Sequence, residues 1–137
     1  MSVKSLDHWS IATKRLEDSR RFYEDVLGLA AGFRPKLAST GYWMYAGDNA
    51  VIHLVKDENE DLDGTPLPAG QGSAADMADS GIDNHVAFTV DDADAVRSRL
   101  DAKGIGYWDR DLSDRGLYQI FIKDPNGVIL ELNFYSK

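Results

Sequence analysis

Three histidines and one late glutamate carry the chemistry this sequence can do. His8 opens the run "LDHWSIAT", His53 interrupts "NAVIHLV", His85 opens "HVAFTV", and Glu131 sits in the middle of "GVILELNF". His53 lies 45 positions beyond His8, and Glu131 lies 46 beyond His85. Singly, each has an ordinary explanation: a histidine hydrogen-bonded in a strand, or a carboxylate at a sheet edge. Two pairs at matched spacing are different, because if the chain repeats itself the four residues occupy equivalent positions. Packing of the two halves about a pseudo-twofold axis then outlines a metal site.

The surrounding sequence does repeat. "LDHWSIAT" alternates and leads into "KRLEDSRRFYEDVLG", where Leu16, Tyr23, Val26 and Leu27 fall on one helical face and Gly28 supplies the stop. "IDNHVAFTV" alternates likewise and leads into "DDADAVRSRLDAKG", with acidic residues at the helix start, Ala93, Val96 and Leu100 at helical spacing, and Gly104 as the stop. Three strand candidates follow each helix: "LAAGF", "GYWMYAG" and "AVIHLV", then "IGYWD", "GLYQIFI" and "GVILELNF". Alternation puts His8 on one face with Ser10 and Ala12, and His85 with Ala87 and Thr89, while Trp9, Ile11, Val86 and Phe88 take the opposite, helix-facing side. By the same rule Ile52 and Leu54 face the helices, and Val51, His53 and Val55 face the other way. Small neighbours beside each histidine leave room for a ligand.

Composition sets the frame. The chain has 137 residues, enough for one domain with a substantial core. It has no cysteine, which removes disulfides and thiolate ligands. No apolar run approaches membrane-spanning length, and the first residues lack a signal-peptide pattern, so a soluble, cytoplasmic protein is expected. The formal charge of -8, with basic residues scattered, argues against nucleic acid or an anionic membrane as partner. Residues 57–81 are acidic and rich in Gly and Pro; they read as a connection, either a plain linker or a lid, between module one (about 4–56) and module two (about 82–135) of a single domain.

The landmarks "LDHWSIA", "RRFYEDVLGL", "NHVAFTVDDADAV" and "IKDPNGVILELNF" make the chain resemble the vicinal oxygen chelate superfamily: glyoxalase I, methylmalonyl-CoA epimerase, extradiol dioxygenases, and the fosfomycin- and bleomycin-resistance proteins. The resemblance implies an α+β fold of two βαβββ modules whose mixed sheets form a barrel-like cup, with the helices outside. It implies one divalent metal per site, held by His8, His85 and Glu131, and it places His53 where glyoxalase I has a glutamate, as the fourth ligand. Imidazole and carboxylate donors suit Zn, Ni, Co, Mn or Fe.

Such an ion would hold neighbouring substrate oxygens and stabilise an enolate or alkoxide, with Glu131 as the catalytic proton carrier of a glyoxalase-like lyase or isomerase. A glutathione adduct is not the expected substrate, since the arginine of glyoxalase I beyond the first ligand is Ala12 here and its asparagine is Asp57. An extradiol Fe(II) dioxygenase ranks second, because Phe121 stands where a tyrosine is usual; a non-catalytic ligand-binding or drug-resistance module is the third reading. Arg34, Trp43, Tyr45, Trp108, Tyr118 and Phe121 are the candidate substrate contacts, Asn133 is the candidate to orient Glu131, and Trp9 is assigned to the core. The expected partners are a small-molecule substrate and a second copy of the chain in a homodimer.

Overall fold

A computed structural model describes residues 2–67 and 85–136, which form two compact units, residues 1–65 and 66–137. Module one runs β1 (Trp9–Thr13), α1 (Leu16–Asp25), β2 (Ala30–Gly32), β3 (Gly41–Ala46) and β4 (Asn49–Lys56). Module two repeats the order with β5 (His85–Thr89), α2 (Ala93–Ala102), β6 (Trp108–Leu112), β7 (Leu117–Lys123) and β8 (Ile129–Tyr135). Each module folds its strands into one four-stranded mixed sheet, ordered β1-β4-β3-β2 and β5-β8-β7-β6. The fold is α+β, and in both modules the first strand lies parallel to the last, the two later pairings being antiparallel.

Alternation sorts the residues as sequence spacing requires. In β4, Ile52 and Leu54 are wholly buried, each worth roughly 1.5–3 kcal/mol of burial. Leu130 and Leu132 of β8 and Ile120 and Ile122 of β7 do the same in module two. α1 contributes Leu16, Ser19 and Tyr23 to the core, and α2 contributes Val96 and Leu100. Gly28 ends α1 at φ +71, where Leu29 N–H donates back to the Tyr23 carbonyl at 3.0 Å, a closure that a residue with a Cβ adopts only under strain. α2 begins at Asp92, whose carboxylate accepts from Ala95 N–H at 3.1 Å.

α1 has no such cap of its own, since Arg15 stands at the N-cap and its side chain does not cap the first turn. Asp63 supplies one from the far end of the module: its Oδ2 accepts from Glu17 N–H at 3.1 Å and its Oδ1 from Asp18 N–H at 2.9 Å. The buried Arg15 donates to Thr65 through both its carbonyl (2.7 Å) and its hydroxyl (2.9 Å), and Gly64 N–H donates to Asp18. The stretch 57–67, read from sequence as the start of a linker or lid, is in fact fastened onto module one through residue 65. Residues 68–81 of that connection lie outside the described residues.

Two local expectations shift. β6 starts at Trp108 instead of Ile105, so it runs through the polar triplet Asp109–Arg110–Asp111. Trp9 shares the parity of Ile11 yet is 40% exposed, at the start of β1, the edge strand of its sheet.

Candidate functional site

The parallel pairing of first and last strands sets the donors. His53 is the register partner of Ser10, and His8 stands two residues before Ser10, on the same face. In module two Glu131 is the partner of Ala87, and His85 stands two residues before it. The two modules therefore present their donor pairs with the same register. A single β-bulge, opposite the Met44/Tyr45 step, falls before His53 and leaves its alternation with Ile52 and Leu54 intact.

In module one His53 is 8% exposed and lies between two flat rings. Trp43, its antiparallel partner on β3, stacks on one side at 4.0 Å and 11°, and His8 stacks on the other at 3.6 Å and 8°. Burial, followed by the neighbouring His8, lowers the His53 pKa, so the ring is neutral near pH 7, the form a metal ligand needs. His8 Nδ1 faces Asp7 Oδ2 at 2.5 Å, the contact by which a carboxylate orients an imidazole ring. The donor atoms of Asp7, His8 and His53 lie within 4.8 Å of one another, a cluster able to hold a metal. The donor types fit a divalent ion. With the His8 and His53 planes this close and this parallel, though, one ring must turn before both in-plane lone pairs address the same ion.

In module two the "DPNG" turn delivers β8. Asp124, 1% exposed, accepts from Asn126 N–H and Val128 N–H, both at 2.8 Å, and so fixes where the strand begins. Glu131 then lies with Oε1 3.2 Å from His85 Nε2, while its Oε2 accepts from Asn133 Nδ2 at 2.8 Å. Asn133 Oδ1 in turn accepts from Gln119 Nε2 at 3.0 Å.

The remaining sequence candidates divide. Trp43 and Tyr45 share the His53 face, the Tyr45 hydroxyl donating to the Phe33 carbonyl at 2.6 Å. Phe121 is the direct partner of Glu131 and Trp108 of Phe121, with their rings 5.0 Å apart. Tyr118 is not brought to this face: it pairs with Phe134, lies under the Arg97 guanidinium of α2, and donates to Asp109 at 2.5 Å. Arg34 is already engaged, donating to the Ser39 carbonyl at 3.0 Å and hydroxyl at 2.9 Å, which closes its own loop. Sequence reading missed Asp7 as the partner of His8, Gln119 behind Asn133, and Arg110, whose guanidinium covers Trp108 at 5.3 Å on the Glu131 face. Arg110 was hidden by the misplaced β6; its spacing of two from Trp108 is the signal that finds it.

With the site in view, the chain's relationships follow. The profile of the Glyoxalase/Bleomycin resistance protein/Dioxygenase superfamily matches residues 5–132, and the chain belongs to this family. It is 27% identical over 135 residues to a protein named glyoxylase I 4 from Arabidopsis thaliana, covering 96% of this chain and 71% of that one. It is 28% identical over 136 residues to the glutathione transferase FosA of Serratia marcescens, covering 98% and 83%. The crystal structure of a lactoylglutathione lyase from Agrobacterium tumefaciens shares the fold with a TM-score of 0.64 at 22% identity, covering 98% of this chain and 96% of that one. Among the described residues no helix is long and apolar enough to cross a membrane.

Proposed function

We propose that the protein is a divalent-metal-dependent, glyoxalase-like enzyme, a lyase or isomerase acting on a small oxygenated substrate, with His8, His53, His85 and Glu131 as the metal donors. The observation that carries the reading is the shared register: in each module one donor stands two residues ahead of the strand partner of the other. When bound, a divalent ion supplies Lewis acidity to neighbouring substrate oxygens. Glu131 is the proton carrier, taking a proton from the carbon beside the substrate oxygen and returning it to the adjacent position. Asn133 donates to one oxygen of that carboxylate, and the other lies 3.2 Å from His85 Nε2. Trp108 and Phe121 supply an apolar wall that keeps water from the transferred proton. Phe121 stands directly across from Glu131 and brings no hydroxyl to the carboxylate, which sets the dioxygenase reading behind this one.

The test is elemental analysis of the purified protein and of two variants, one from each module. About one divalent ion per chain is expected in the parent, and little retained in His8→Ala or His85→Ala. Full occupancy in His85→Ala overturns the assignment.

A further inference from the structure

On the Glu131 face of module two, a row of amides ends in an acceptor that no described residue serves. An ionised carboxylate only accepts hydrogen bonds, so Glu131 forces Asn133 to turn its amino group toward it. Asn133 Oδ1 is thereby the atom presented to Gln119, which must answer with Nε2. The orientation of Gln119 is set by this chain, and its Oε1 is left over. That oxygen is buried and has no hydrogen-bond partner among the described residues, on a side chain that is itself only 8% exposed. Buried acceptors are ordinarily satisfied, and one left alone is costly.

Directly across from Gln119 on β6 stands Arg110. It is exposed, its guanidinium lies over the rings of Trp108 (5.3 Å) and Phe121 (5.8 Å), and among the described residues no hydrogen bond or ion pair engages it. Cross-strand partners lie about 5 Å apart at Cβ, so one small molecule can touch both side chains. The face thus offers a cation, an acceptor that needs a donor, and an aromatic surface.

We infer that this face takes a small 2-hydroxy acid bearing an apolar group. Its carboxylate pairs with Arg110, its hydroxyl donates to Gln119 Oε1, and its apolar group rests on Trp108, which packs against the buried Phe121. The inference rests on the reading of the Glu131 face as the reactive one, and it names the substrate class. A guanidinium can grip a carboxylate with two parallel hydrogen bonds, which gives it both strength and orientation.

Calorimetric titration with three probes, in buffer containing a chelator, tests the assignment. Mandelate carries all three features, phenylacetate lacks the hydroxyl, and methyl mandelate lacks the charge. Mandelate should bind at least about tenfold more tightly than either of the others, the loss expected for one hydrogen bond involving a charged group or one buried acceptor left unpaired. Arg110→Gln should weaken mandelate and phenylacetate by about tenfold and leave methyl mandelate unchanged. Gln119→Leu should abolish the preference for mandelate over phenylacetate. Should that variant not fold, the Gln119 side-chain amide resonances of the parent protein should shift with mandelate and not with phenylacetate. Equal binding of the three probes, no binding of mandelate, or an Arg110→Gln effect shared by the ester overturns the inference. Because no metal is present in these titrations, their failure is separable from failure of the metal assignment, which elemental analysis decides.

Discussion

Replacing Asp63 by alanine tests whether the start of the inter-module connection is a structural part of module one. In the folded chain both oxygens of Asp63 accept from the first turn of α1, at 3.1 and 2.9 Å, in a helix whose own N-cap side chain does not cap that turn. Losing an N-cap acceptor costs about 0.5–2 kcal/mol, and losing a carboxylate beside a helix N-terminus adds about 0.3–1 kcal/mol. Glu17 and Asp18 are half-exposed, so water replaces part of the loss, and about 1–2 kcal/mol is the expected net effect. For a chain of this size that corresponds to a fall in Tm of about 3–8 °C. Asp63→Asn, which keeps an acceptor and loses the charge, should fall by less than half as much. Glu58→Ala, removing the same charge from an exposed neighbour, is the control. Urea denaturation followed by circular dichroism gives the free energies. If Asp63→Ala and Glu58→Ala differ by less than about 0.3 kcal/mol, the capping role is refuted and the contact is incidental.

Two further outcomes are expected. The Tyr42 hydroxyl donates to Glu17 Oε2 at 2.7 Å and holds that carboxyl below its ordinary value of 4.5, so the bond adds stability above that value and loses it as pH falls through the lower folded one. Tyr42→Phe should therefore destabilise the protein near pH 7, by no more than about 1 kcal/mol because water reaches the carboxylate, and the gap should close in acid; a gap constant from pH 7 to pH 3 contradicts this. Gly41→Ala should lose at least about 1–3 kcal/mol, because the added methyl would land on the Leu54 carbonyl oxygen in the neighbouring strand; unchanged thermal unfolding would show that β3 yields without cost.

Much of the fold was legible because it rests on periodicity. Leu16 and Tyr23, Val96 and Leu100, and Ile52 and Leu54 all lie where spacing alone places them, and Gly28 and Gly104 both end their helices at positive φ. What was not legible depends on contacts that spacing cannot see. The strand candidate "IGYWD" stops at Asp109, whereas β6 runs on through Arg110, Asp111 and Leu112, because β7 offers those polar residues a ladder. Tyr118 looked like a pocket residue by type, and the register of β7 turned it to the helix side. Arg34 was a candidate contact for a substrate carboxylate, and five residues later Ser39 engages it. The cap of α1 comes from a residue 45 positions beyond Asp18, a distance over which no local motif operates. The matched register of His8 with His53 and of His85 with Glu131 was readable only because the chain carries its βαβββ unit twice.

The amide row behind Glu131 changes how one customary experiment must be interpreted. Glutamine is the usual silent substitute for a catalytic glutamate, chosen because it preserves shape. Here it would also erase the polarity of a sentence written in hydrogen bonds, since only the negative charge dictates which way Asn133 faces, and Asn133 dictates Gln119. With Gln at 131 every member of the row is an amide, both directions become equivalent, and the Gln119 oxygen and nitrogen can exchange places. A Glu131→Gln protein is thus a change at three positions made with one codon. Glu131→Asp keeps the charge and therefore the direction, at the expense of reach, so comparing the two separates loss of the carboxylate from loss of the order it imposes.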